Sequence, residues 1–329
     1  MRMSIALDDW PLREPFVLAG ARYESIRTVT VELVDGEARG RGEAAGVDYR
    51  GETPESLREQ LEACRGEVEA LAGDRLPPHE LDALLPPGGA RNALDCALWD
   101  LRLKRSGRTV WDLLDLRPHP VTTAFTLGLD APAAMAAAAR RASSFPLLKL
   151  KLDAEEPVAR VAAVRAARPD AELIVDANGS WSAGLLAAVG PALLGHGVAL
   201  VEQPLPPADD AALDGWSSPA PPLCADESCQ SSADLDALTA RYTFVNLKLD
   251  KSGGLTEALR MAARCRELGL GLMVGNMLGS SLAMAPAFVV AQHCRWADLD
   301  GPLLQRLDRN PAMRYDGAVV HPPPRELWG

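Results

Sequence analysis

Short apolar runs that each end in charged residues recur at nearly constant intervals along the chain. They carry Lys149-Leu150-Lys151, Asp176-Ala177-Asn178, Glu202-Gln203-Pro204, Asp226-Glu227-Ser228, Lys248 and Asp298-Leu299-Asp300. From Lys151 to Asp176 is 25 residues, then 26 to Glu202, 24 to Asp226 and 22 to Lys248. One strand and one helix fill each step. In a barrel of parallel strands the C-terminal strand ends form a single mouth, so charges distant in sequence meet in a ring.

The runs are Val121 to Leu127, Leu147 to Leu152, Glu172 to Asn178, Ala199 to Pro204, Pro222 to Glu227, Phe244 to Asp250, Leu270 to Met277 and Ala297 to Gly301. Between them lie helical patterns at Ala131 to Ser143, Pro157 to Arg168, Ser182 to Leu194, Ser232 to Ala240, Leu255 to Leu268 and Ser281 to His293, with a shorter one near 208–216. This is an α/β chain, and eight runs with about seven helices predict a modified TIM barrel, (β/α)7β, over 119–301. Upstream, Ile26 to Leu33 alternates, Asp35-Gly36 is a hairpin signal and Ala38 to Glu43 is the return strand. Helices follow at Pro54 to Leu71, with Thr53 as N-cap, and at Ala90 to Lys104, closed by Ser106-Gly107. The expectation is an N-terminal α+β capping domain over 1–118, completed by a tail, 302–329, that returns to pack on it.

The chain has 329 residues and a net charge of −11, with a pI near 5.0. Nucleic acid and anionic membranes need a basic face, so the expected partner is a small molecule. No run approaches the length that spans a bilayer, and no signal-peptide pattern opens the sequence; the expectation is a cytoplasmic protein, acting as a homo-oligomer. The six cysteines form no C-x-x-C pair, as expected of free thiols in a reducing compartment.

Strand residues two apart point the same way, so Lys149/Lys151, Asp176/Asn178 and Asp298/Asp300 can each face the barrel interior. Lys151 on strand two and Lys248 on strand six stand opposite each other on the ring. Asp176, Glu202 and Asp226, on strands three to five, fill the arc between them. Three converging carboxylates repel unless a cation neutralises them, and an all-oxygen set favours Mg²⁺ over zinc. A substrate carboxylate on that Mg²⁺ would hold its α-carbon between the two lysines, one to remove the α-proton and the other to return one to the opposite face. Each lysine is then expected to titrate below its ordinary value.

K-x-K, D-x-N, E-Q-P and D-E-S in this order resemble the enolase superfamily, muconate lactonizing subgroup. So do Ala93-Leu94-Asp95-Cys96-Ala97-Leu98-Trp99-Asp100 and Asn246-Leu247-Lys248-Leu249-Asp250-Lys251-Ser252-Gly253-Gly254. The resemblance implies Lys151 and Lys248 as the acid/base pair, Asp176, Glu202 and Asp226 as ligands of one Mg²⁺ per subunit, and Lys149 and Asn178 as their supporting neighbours. Lys149 reads equally well as a structural ion pair.

Strand eight lies across the ring from strand four, so Asp298 and Asp300 suit a cationic group at the far end of the substrate. A dipeptide has that shape, and the D-x-D resembles the hallmark of the dipeptide epimerases. Capping of the next turn is the alternative role for this pair. Within the subgroup, o-succinylbenzoate synthase, a cycloisomerase or an N-acylamino acid racemase are the alternative activities. The family's glutamate specificity implies an arginine on a first-domain loop, for which Ala19-Gly20-Ala21-Arg22-Tyr23 offers Arg22; Tyr49, Thr126 and Met277 are further substrate-binding candidates. In Gly275-Asn276-Met277-Leu278-Gly279-Ser280-Ser281 the small Gly279 departs from the family pattern. His196 and His293 read as solvated helix ends, and Trp99 and Trp111 as core.

Overall fold

The computed structural model describes residues 1–70 and 78–329. Its first unit opens with an antiparallel sheet of strands Arg2–Leu18, Ala21–Asp35 and Ala38–Ala44. Pairing of the first two strands slips between Pro11 and Phe16, where Pro11 and Pro15 have no N–H to give. The sheet buries Val29, Val31 and Leu33 against Leu57, Leu61, Ala93 and Leu94. Gly40 and Gly42 face the helix Gly89–Ser106 so closely that a Cβ on Gly42 would sit 2.1 Å from the Ala93 carbonyl oxygen. The alanines of that helix and the glycines of the strand thus set its distance from the sheet. The helix expected over Pro54–Leu71 is two, Pro54–Ala63 and Arg65–Ala70, interrupted at Cys64. Gly66 just past the break propagates a helix poorly, and Leu71 lies outside the described residues. Thr53 caps the first of the two through a reciprocal bond with Ser56.

Eight parallel strands follow in sequential order: Phe125–Leu127, Leu147–Lys151, Glu172–Asp176, Val198–Glu202, Leu223–Ala225, Phe244–Leu247, Gly271–Val274 and Trp296–Ala297. A bridge between Thr123 and Ala297 joins the eighth to the first. Helices Pro132–Arg141, Pro157–Ala167, Ala183–Gly195, Leu255–Leu268 and Ser281–Ala291 wrap the outside. After strand four the expected helix is a 3₁₀ segment, Pro207–Leu213, and after strand five a 3₁₀ turn runs into the single α turn Leu235–Leu238. In the first of these connections Pro204 and Pro206 precede the segment, Pro207 opens it, and Gly215, Pro219, Pro221 and Pro222 follow it, which leaves few residues able to join a longer helix. Inward positions alternate, so Leu147, Ile174, Leu200, Cys224 and Met273 form an apolar layer deep in the barrel. The next inward residues, two further along, include Lys149, Asp176, Glu202 and Asp226.

The first expected run divides. Val121–Thr122 leaves the barrel and pairs with Val319–Val320 of the tail, which itself pairs with Tyr315–Asp316. Thr123 is the pivot: its N–H donates to Ala318 O at 2.8 Å, and its hydroxyl oxygen accepts from Leu299 N at 2.8 Å. The last residues return to the first unit. Trp328 Nε1 donates to Cys96 O at 2.9 Å, Gly329 N donates to Asp100 Oδ1 at 2.8 Å, and Arg41 donates to Leu327 O at 3.0 Å.

Two buried contacts hold the first unit over the barrel mouth. Arg309 of the tail donates to Glu43, to Asp8 and to Thr30, and stacks over Trp10 with 4.7 Å to the ring centroid. Glu43 also accepts from Ser280 N at 2.7 Å, at the start of the helix after strand seven. Asp250, just past strand six, accepts from Gly46 N at 2.8 Å. Burial raises its carboxyl to about 7, outweighing the backbone hydrogen bonds from Gly46 and Ala45 that pull it down.

Gly42→Ala is expected to lower stability by about 1–3 kcal/mol through overpacking against Ala93, read as a reduced midpoint in urea. Because the folded state raises the Asp250 carboxyl to about 7, it binds a proton that the unfolded chain releases near pH ~4. Its contribution is therefore lost as pH rises from there through about 7. Asp250→Asn is expected to flatten the stability profile across that window in denaturant titrations.

Candidate active site

Each of the expected charges lies at or just past the C-terminal end of its strand. Asp176 and Glu202 end strands three and four, while Asp226 and Lys248 follow strands five and six by one residue. One oxygen from each of Asp176, Glu202 and Asp226 lies within 4.8 Å of the others, and all three carboxylates are fully buried. Asn178 has left the strand in the left-handed region, at φ +45. Its Oδ1 nonetheless accepts from Lys151 Nζ at 3.0 Å, and its own N–H donates to Asp176 Oδ1 at 3.0 Å.

The ammonium groups interleave with these carboxylates. Lys149 Nζ lies 3.0 Å from Asp176 Oδ2, 2.8 Å from Glu202 Oε2 and 3.1 Å from Asp298 Oδ2. Lys149 is thus both site and ion pair, the two roles its sequence position left open. Lys151 Nζ donates to Asp176 Oδ2 at 2.7 Å, and Lys248 Nζ to Asp226 Oδ2 at 2.7 Å. Burial pushes Asp176 up, but Lys149 and Lys151 hold it far below the usual carboxylate range. Asp226 is held low in the same way, by Lys248 and Lys251 against its burial. Glu202 goes the other way: burial, reinforced by Asp176, raises it to about 8 despite Lys149.

The Lys149 ammonium straddles the Glu202 carboxylate, 2.8 Å from Oε2 and 3.0 Å from Oε1. Three buried carboxylates that bring one oxygen each within 4.8 Å of the others have the chemistry of a hard-cation site. The lowered lysine values expected from the sequence presuppose a bound Mg²⁺, and the protein groups by themselves act on Lys248 the other way. Burial lowers it, yet Asp226 overrides this and raises it above the ordinary value. Ammonium and cation would compete for the same Asp226 carboxylate.

A cavity of about 590 Å³ opens above this layer, with Lys149, Lys151 and Lys248 in its floor. Thr126, Asn178, Tyr49, Met277, Asp298 and Asp300 line it. Asp300 accepts from Thr126 N at 2.7 Å, and Asp298 accepts from Thr126 Oγ1 at 3.3 Å. Burial, followed by the neighbouring Asp298, raises Asp300 to about 8. Asp300 precedes the short helix Gly301–Leu304 but its side chain makes no capping bond, so the pair faces the cavity instead of serving the turn.

Arg22 lies apart from the other expected residues. It does not line the cavity; it is 59% exposed and lies 3.7 Å from Glu24. Neighbours on a strand face opposite ways, and here Tyr23 takes the inward side. Three contributors lay outside the expected set. Lys251 donates to Asp226 Oδ1 at 2.6 Å and to Asn246 O at 3.0 Å. Asn246 donates to Glu202 Oε1 at 2.7 Å. Glu227, which accepts from Asn178 Nδ2 at 3.1 Å, is raised to about 7 by burial and by Asp226. Asn246 was findable, since it stands two residues before Lys248 on one strand. Gln203 adds support from behind: its Oε1 accepts from the N–H groups of Asp226 at 2.9 Å and Ser228 at 3.1 Å.

Residues 1–115 match the family model described as mandelate racemase / muconate lactonizing enzyme, N-terminal domain, and 132–325 match the enolase C-terminal domain-like model. The chain is 43% identical to the L-Ala-D/L-Glu epimerase of Escherichia coli (strain K12), over 95% of this chain and 97% of that protein. It is 44% identical to the N-acetyl-D-glutamate racemase of a Pseudoalteromonas species, over 82% of this chain and 87% of that one. An enolase family member from Agrobacterium tumefaciens with homology to dipeptide epimerases, crystallised with sodium and L-Ala-L-Glu, superposes with a TM-score of 0.95 at 41% identity, covering 99% of each chain. The dipeptide epimerase of Enterococcus faecalis V583, complexed with Mg and L-Leu-L-Tyr, gives 0.89 at 27% identity, covering 98% of this chain and 96% of that one. Both units and the charged ring between them place this chain in the mandelate racemase / muconate lactonizing enzyme family of the enolase superfamily.

Proposed function

We propose that this protein is a Mg²⁺-dependent dipeptide epimerase that inverts the α-carbon of the C-terminal residue, similar to its L-Ala-D/L-Glu epimerase relatives. The observation that carries the reading is the joint geometry of the floor and its flank: opposed lysines over a carboxylate triad, with a second carboxylate pair to one side. Asp176, Glu202 and Asp226 would hold the cation, for which their closeness and the all-oxygen donor set are suited. Mg²⁺ there would draw charge from the substrate carboxylate and so acidify the adjacent C–H.

The chain's own residues do the rest. Lys151 and Lys248 stand four strands apart on an eight-strand ring, hence on opposite faces of the α-carbon. The lysine that is neutral at Nζ takes the proton, and the other, as ammonium, donates one to the opposite face. Lys149 keeps the carboxylates neutralised, and Asn178 fixes Lys151 by its 3.0 Å bond. Asp298 and Asp300 receive the substrate ammonium, which favours a free dipeptide over the acylated amine of an N-acylamino acid racemase. Thr126, Tyr49 and Met277 complete the wall. The same reading divides the chain into 1–118, 119–301 and 302–329. It also makes the enzyme a cytoplasmic homo-oligomer, in keeping with six unpaired thiols; light scattering tests the assembly.

With Mg²⁺ and a set of L-Ala-L-Xaa dipeptides in D₂O, proton NMR is expected to show loss of the α-proton signal with inversion. Lys151→Ala and Lys248→Ala should each abolish inversion, while the remaining lysine still exchanges the α-proton of the epimer that presents it. No exchange with any dipeptide would sink the proposal. Lys251→Ala is expected to weaken Mg²⁺ binding by roughly 10–100-fold in calorimetric titration, because Asp226 loses the ammonium that orients it.

A further inference from the structure

With the substrate carboxylate on the floor and its ammonium at Asp298 and Asp300, the side chain of the epimerised residue has one direction left, toward the wall built by the first unit. In that wall Tyr23 faces inward, and its hydroxyl donates to Asp48 Oδ2. Asp48 Oδ1 accepts from Tyr49 N at 2.7 Å. A phenol has a single hydrogen and a carboxylate has none, so both groups retain only acceptor capacity toward the cavity.

The other charges of the wall are committed elsewhere. Arg27, at the rim, places its guanidinium 2.5 Å from Glu55. Glu52 accepts from the backbone N–H groups of Val47 at 2.8 Å and Gly89 at 3.0 Å. Arg22 is turned to solvent. What remains is largely apolar, with Phe16, Leu18 and Ile26 beside the hydroxyl of Ser25.

We propose that this wall selects, at the epimerised position, a side chain that donates hydrogen bonds, such as a carboxamide, over one that ends in a carboxylate. The inference rests on the dipeptide epimerase reading. A substrate carboxylate brought to Tyr23 and Asp48 meets a like charge and no donor from that pair, with neutral hydroxyls such as those of Ser25 and Tyr49 elsewhere on the wall, whereas an amide N–H₂ of the same shape supplies the hydrogens that both oxygens lack. Asp48 is exposed to solvent, which screens the repulsion and limits the discrimination to roughly five- to tenfold.

The test compares kcat/KM of the full chain with Mg²⁺ for L-Ala-L-Gln and L-Ala-L-Glu, near-isosteric substrates that differ in this one group. L-Ala-L-Gln is expected to lead by at least about fivefold, a margin that shrinks as NaCl is raised. Asp48→Asn, on an exposed loop where the fold is not at stake, should narrow or reverse the ratio. Tyr23→Phe, which strips a partner from Asp48, should depress L-Ala-L-Glu further and spare L-Ala-L-Gln. Equal or faster turnover of L-Ala-L-Glu by the unaltered enzyme, or a ratio indifferent to Asp48→Asn, overturns the inference. So does an enzyme active on other dipeptides but on neither of these. Inactivity toward every dipeptide overturns the underlying reading instead, and this inference with it.

Discussion

The ammonium of Lys149 is the contact on which the mouth of the barrel depends. It is 1% exposed and touches carboxylates from strands three and four and from the segment after strand eight. An isolated charge at that depth would be expensive, and so would three clustered carboxylates. Together they are tolerable only in this interleaved form, which ties four strand ends to one point. The ammonium groups still leave Glu202 raised to about 8 by burial and by Asp176, so neutralisation by lysine is incomplete. A cation completes what the ammonium groups begin.

The floor and the wall of the cavity are made of different materials. The lysines and carboxylates of the floor project from strand ends held by a parallel ladder, where a side chain has little freedom to drift. The wall comes from a hairpin tip and a 3₁₀ turn of the first unit, Asp48–Arg50, joined to the barrel through Glu43, Asp250 and Arg309. Loops on a rigid frame can change their chemistry without disturbing the frame. A chain can keep its reaction and exchange its substrate.

The ring of charges was legible because two periodicities act together: alternation of two within each strand, and one strand-helix unit between charges. Asp176, Glu202, Asp226, Lys151 and Lys248 all fall where those periods put them. Lys251 does not, because it sits on the short helix after strand six, Leu249–Ser252, and reaches back to Asp226 by a turn that alternation does not describe. Arg22 and Tyr23 differ by a single position, and a hairpin's facing is decided by register with its partner strand, Val17 with Arg22 and Phe16 with Tyr23. The division of the first run at Thr123 depends on a tail strand about 200 residues away in sequence, a pairing that local pattern cannot reveal.

The return of the tail bears on the order in which the molecule is assembled. Trp328 is buried at 1% against the helix Gly89–Ser106, and Arg309 fills the space between Trp10, Glu43 and Ser280. The first unit precedes the barrel in the chain yet is finished after it, since its surface waits for side chains made after the barrel's eighth strand. Until then its unmatched face, with the buried Glu43 carboxylate lacking its cation, has a reason to stay loose. Closure of the barrel and sealing of its cover would then be one late event, so that the active site is enclosed only in a chain that has been synthesised through its tail.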